Sequence, residues 1–130
     1  MKFQPDYLDG VNAISKLEAG RIWVHANAFE ASVLVPWRGD VKPWPVGRAE
    51  DLMSAHFETI TAIQPELVIF GSGAQHRFVS PALYRSLIER RIGIETMDTA
   101  AACRTFNVLV NEGRKVVGAF LLEPPGMPGT

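Results

Sequence analysis

The chain has 130 residues, 47% hydrophobic and 21% charged, with a formal net charge of -1 and a single cysteine. That length is enough for one domain with its own buried core, read here as 1–130 with a core over about 7–122 and a flexible tail at 123–130. The near-neutral charge gives no bulk field for nucleic acid, and the lone thiol rules out an intrachain disulfide and suits a reducing compartment. The first twenty residues carry Asp6, Asp9 and Glu18 and no long apolar run, so neither a signal nor a transit peptide is read there. No stretch approaches the roughly 18 apolar residues of a membrane span. The default compartment is cytoplasmic.

In chain order, Ala13 to Leu17 predicts a first strand, Gly20 a turn, and Arg21 to His25 a second strand. Phe29 to Val35 predicts a third. Val41 to Trp44 reads as a fourth, limited by Pro43 and Pro45 to a sheet edge, where a missing N–H does no harm. Short turns make these strands antiparallel neighbours. The period then changes. Glu50 and Asp51 favour a helix start, and Met53, Phe57 and Ile60 form an apolar stripe up to Pro65. Leu67-Val68-Ile69-Phe70 is a continuous apolar run, as in a strand buried on both faces. Ser80-Pro81 combines an N-cap with proline at the first helical position, and Gly93 suits a left-handed C-cap. Ile94 to Met97 predicts a short strand. Asp98 caps a helix over Thr99 to Asn111, Gly113 closes it, and Lys115 to Leu122 is the last strand. Alternation of strand and helix predicts an α/β fold: helices packed on a mixed central sheet, parallel in its second part and antiparallel at its start.

Two segments invite a site. Gly71-Ser72-Gly73 follows a buried strand at its carboxyl end, where open α/β sheets bind ligands and where glycine N–H groups can face an anion. It is neither a Walker loop nor a dinucleotide fingerprint, and a tight turn alone explains it as well. On the helix after Asp98, the residues Thr99, Cys103 and Asn107 are spaced by four and share a face. One reading joins Gly71, Gly73, Asp98, Thr99, Arg104 and Asn107 around a crevice. The other makes Asp98 a cap, Thr99 and Asn107 internal ties, and Arg104 a surface partner. Cys103 lies more than a turn into the helix, which favours a small buried thiol over a nucleophile. His25, His56 and His76 lack metal spacing, and His76 alone is near the glycine loop. Trp23, Trp37 and Trp44 cluster in the strand region, either as packing or as a patch for a partner. No catalytic constellation, metal set or cofactor motif stands out.

The run Asp98-Thr99-Ala100-Ala101-Ala102-Cys103-Arg104-Thr105-Phe106-Asn107, with Gly71-Ser72-Gly73, Gly93-Ile94-Glu95 and Glu112-Gly113-Arg114, resembles the Mth-type domain family of unknown function. Its members include the mitochondrial complex I assembly factor 3 and the adipogenesis-associated Mth-type protein. The resemblance runs from about Tyr7 to Leu122. Gly71, Gly73, Asp98, Thr99, Cys103, Thr105 and Asn107 match the family's pattern, and Arg104 departs from it. The resemblance implies a three-layer α/β domain around a mixed central sheet and a non-enzymatic interaction or assembly factor with another protein as partner. The alternative is a small-molecule or anion-binding domain using the Gly71–Gly73 loop and the Asp98 helix start.

Overall fold

The structure, a computed structural model, describes residues 1–3 and 9–124. Three short strands, β1 (Ile14–Glu18), β2 (Arg21–Val24) and β3 (Asn27–Phe29), form an antiparallel sheet of their own. A second sheet of five strands contains β4 (Val33–Pro36), β5 (Lys42–Pro43), β6 (Leu67–Gly71), β7 (Gly93–Met97) and β8 (Val116–Phe120), in the order β5-β4-β8-β6-β7. β6 runs parallel to both β7 and β8, and β4 runs antiparallel to β8 and β5. The helices are α1 (Ser54–Thr61), α2 (Arg85–Glu89) and α3 (Thr99–Asn111). The mixed α/β sheet expected from the sequence is present, but its antiparallel part comes from β4 and β5. The first strands stand apart from it.

Strand alternation sorts the apolar residues to two faces. Val33, Val35, Ile69, Val116 and Phe120 face α3 and the small sheet, meeting Ala102, Cys103 and Phe106 from the helix and Ile14, Ile22 and Val24 from the strands. Leu34, Val68, Phe70, Val117 and Ala119 face Phe57 and Ile60 of α1 and Leu87 of α2. The result is three layers: α1 and α2, the five-stranded sheet, then α3 with the small sheet. Leu67 to Phe70 is buried throughout, as its unbroken apolar run requires.

Several boundaries differ from the sequence reading, each for a local reason. The expected strand Phe29 to Val35 is broken at Glu30 to Ser32, where the chain passes from one sheet to the other. Buried Ser32 fixes the break: its hydroxyl accepts from the Leu122 N–H at 2.9 Å and its carbonyl accepts from the Trp44 N–H at 3.0 Å. The helix expected from Glu50 is only a 3₁₀ turn at Ala49–Asp51. Leu52 and Met53 are extended, and α1 begins after them with the His56 ring accepting from the Met53 N–H at 2.9 Å. Ser80 makes no side-chain cap, and Pro81 opens a 3₁₀ turn that reaches Tyr84 before the short α2. Gly93 is the first residue of β7; the left-handed residue between α2 and β7 is Arg91, at φ 57°. Gly113 is left-handed at φ 82°, and Asp98 caps α3 by accepting from the Ala101 N–H at 2.9 Å, both as read. Residues 123 and 124, read in the sequence as the start of a tail, are held in place. Glu123 accepts from the Ala74 N–H, and Pro124 lies against Gly47. Residues 125–130 and the Tyr7 end of the core fall outside the described residues.

Two polar ties reinforce this arrangement, one within the large sheet and one between α3 and the small sheet. Glu66, held below its ordinary value by the Arg114 guanidinium and the Lys115 N–H, joins the starts of β6 and β8. Asn107 of α3, 6% exposed, closes a two-bond ring with Ile14: its amide donates to the Ile14 carbonyl at 2.9 Å and its oxygen accepts from the Ile14 N–H at 2.8 Å. Replacing it strands a buried donor and a buried acceptor at once. Asn107→Ala is therefore expected to lower stability by about 2–4 kcal/mol in urea unfolding, and a loss under about 0.5 kcal/mol would contradict this role.

Candidate functional site

The two strand exits singled out in the sequence lie side by side. Gly71 is in register with Met97, and the Ser72 N–H donates to the Met97 carbonyl at 2.8 Å. The space between them is filled. A Cβ on Gly71 would lie 2.8 Å from the Thr99 Cα and 3.0 Å from the Ala102 Cβ, so this glycine lets α3 close onto β6. The Thr99 hydroxyl accepts from the Gly73 N–H and donates to the Leu121 carbonyl, both at 2.9 Å, and the Thr99 N–H donates to the Gly73 carbonyl. The Ser72 hydroxyl accepts from the Arg77 N–H at 2.9 Å and lies within bonding distance of the Gln75 and Met97 carbonyls.

The glycine loop is thus no anion cradle. Its successive N–H groups at Ser72, Gly73 and Ala74 go to the Met97 carbonyl, the Thr99 hydroxyl and the Glu123 carboxylate. Ser72 is 2% exposed and turned inward. What opens beside the loop is a groove of about 670 Å³, mostly apolar. Gly73, Asp98 and Thr99 line it, with Leu17 to Gly20 from the β1–β2 turn and Leu121 to Pro124 after β8. Three acidic residues, Glu18, Asp98 and Glu123, are in its lining, Glu18 paired with Lys16 at 3.1 Å and the other two each accepting a backbone N–H, and the balance of charge disfavours an anion. Gly71, Ser72, Cys103, Arg104 and Asn107 are not part of its lining. The sequence reading missed Glu18 and Glu123. Their only signal was position, in a turn and just after the last strand.

The remaining candidates are dispersed. Cys103 is fully buried between α3 and the sheet, and burial pushes its thiol far above the ordinary value, with Arg104 opposing only weakly. That is the opposite of an activated nucleophile. Arg104 is exposed and points its guanidinium at the Met1 sulfur, 3.5 Å away, rather than at Asp98 or the glycine loop. The three tryptophans form no common patch. Trp44 is 2% exposed, packed edge-on against Phe57 and Phe70, with its indole N–H donating to the His56 carbonyl at 3.0 Å. Trp23 is half-buried on β2 beneath the Lys16 ammonium at 4.7 Å, and Trp37 packs between both apolar clusters. His76 sits beside the Thr96 hydroxyl at 3.1 Å and stacks near Phe78. Among the described residues no group of three or more His, Cys, Asp or Glu is set to hold a metal, and no helix is long and apolar enough to cross a membrane.

Residues 14–121 match a sequence family described as a protein of unknown function, DUF498/DUF598. The bovine NADH dehydrogenase [ubiquinone] 1 alpha subcomplex assembly factor 3 is 39% identical over 88 residues, 66% of this chain and 47% of that protein. The chain spans about half the length of the curated relatives of that name. A solved protein of Bordetella parapertussis superposes with TM-score 0.83 at 32% identity, covering 88% of this chain and 98% of that one. A Bordetella pertussis protein described as a Mth938-like domain gives TM-score 0.81 at 28% identity, over 95% and 94%.

The burial of Cys103 has a direct consequence. In the folded protein a maleimide should label it only as fast as the chain opens, so labelling should accelerate with urea in step with unfolding. Rapid labelling in native buffer would contradict the packed position of the thiol.

Proposed function

The chain belongs to the DUF498/DUF598 family of Mth-type domains, and from that premise we propose that it acts as a non-catalytic assembly factor that holds another protein. One observation carries this reading. The polar residues that mark the family resemblance, Thr99 and Asn107 above all, direct their hydrogen-bonding groups to the chain's own backbone. Asp98 caps the helix that carries them, and Gly71 sets its distance from β6. Such a motif keeps a scaffold in shape and leaves the work to the exterior. The names of the assembly-factor relatives support a protein as the partner. Capture of the tagged chain from native extract, with cross-linking, should give a reproducible protein partner whose assembly into its complex falls when the chain is depleted. A partner whose assembly is unchanged by depletion would count against the reading.

A second reading is favoured by the groove alone. Its size suits a small molecule, and its apolar floor with Glu18, Asp98 and Glu123 at hand would take a cationic, partly apolar ligand. A thermal-shift series of organic amines should then raise the melting temperature, and Glu123→Gln should reduce the rise. The absence of any rise across the series would remove this reading.

A further inference from the structure

The five-stranded sheet has two edges of different character. At one end β5 is two residues long and includes Pro43, which has no N–H to offer. At the other end β7 has five residues and pairs only through β6. In the small sheet β3 has only three residues, and β1 is already bridged on its outer side by Lys2.

The hydrogen bonds fix which groups of β7 point outward. The Gly93 N–H donates to the Glu66 carbonyl, and the Met97 carbonyl accepts from the Ser72 N–H. In a parallel ladder the N–H and carbonyl of one residue point to the same side, alternating along the strand. Gly93, Glu95 and Met97 therefore turn to β6. The N–H and carbonyl of Ile94 and Thr96 turn to the edge away from β6, where no hydrogen bond from a described residue takes them, although His76 meets the Thr96 hydroxyl beside them. These four groups form a template for one more strand.

Glu95 decides what can use it. In an antiparallel addition Ile94 and Thr96 each form a two-bond pair with the incoming strand. Glu95 then falls at the intervening position, where facing side chains are closest. Its side chain is exposed, on the α3 face of the sheet in register with Ile69. A second copy is disfavoured. The register that satisfies all four groups on both copies sets Glu95 opposite Glu95, and like charges directly opposite repel. A strand with a basic residue there gains the opposite-charge pair instead.

We infer that the open edge of β7 receives an extended segment of a partner protein, antiparallel to β7, with lysine or arginine facing Glu95. This rests on the protein-partner reading above and assigns that partner a surface and a chemistry.

The test uses the full chain, labelled with nitrogen-15, and two capped seven-residue peptides of alternating threonine and valine with lysine or glutamate at the centre. The lysine peptide should shift the amide signals of Ile94 and Thr96 and slow their hydrogen exchange. It should bind roughly three- to tenfold tighter than the glutamate peptide. In Glu95→Lys, an exposed position that leaves the fold intact, the preference should reverse. Three results would overturn the inference: no change at those two amides at millimolar peptide, equal affinity for both peptides, or a chain already self-paired through β7 with both amides protected. If the peptides fail while a partner is still captured from extract, this surface is wrong and the assembly-factor reading stands. If the peptides bind while depletion leaves assembly unchanged, the edge stands without that role.

Discussion

The Asn107 carboxamide holds α3 and the small sheet, on one side of the large sheet, in register with each other. Its two bonds to Ile14 span 93 residues of sequence and reproduce what a neighbouring strand would offer β1. A helix side chain thereby stands in for a strand and moors the small sheet on α3. Ile14, Ile22 and Val24 bring apolar contact to the same junction, but apolar contact is non-directional and would tolerate sliding. The paired hydrogen bonds set the register. Once β1 is placed, β2 and β3 follow by antiparallel pairing, and the β1–β2 turn comes to form one wall of the groove.

The position of α3 rests in turn on glycine. Gly71 clears the space that Thr99 and Ala102 occupy, and Thr99 then ties the exits of β6 and β8 together through Gly73 and Leu121. Gly118 has a similar part on β8, where a Cβ would run into the Phe120 ring that packs edge-on against Phe106. Helix, sheet and loop meet at distances only small residues permit. Thr99 and Asn107, polar as they are, belong to this packing and lie inside, whereas Asp98 stays part-buried at the groove.

Much of this was legible in the residues themselves. The unbroken apolar run of β6 announced a strand buried on both faces, and Asp98 and Gly113 announced the two ends of α3 through caps that act within a few residues. Asn107 in mid-helix implied a hydrogen-bond partner because its propensity there is poor, though nothing in the sequence named Ile14. The failures share a cause. Whether β1 to β3 join the main sheet, whether the space between two exits is open or filled, and whether Trp44 is core or surface all depend on contacts between distant segments. Local periodicity carries no information about them. The Ser80-Pro81 pair misled for the opposite reason: its local signal is strong, but the chain there tightens into a 3₁₀ turn before joining α2.

The arrangement also sets a timetable for biosynthesis. β1 leaves the ribosome 93 residues ahead of the side chain that anchors it, and β4 waits somewhat less for β8. At ordinary elongation rates that interval is roughly 5–20 seconds, long compared with hairpin formation. Throughout it the inner faces of both early segments, with Ile14, Ile22, Val33 and Val35, remain wet. The nascent polypeptide keeps that apolar surface uncovered until the last third of translation delivers α3 and β8.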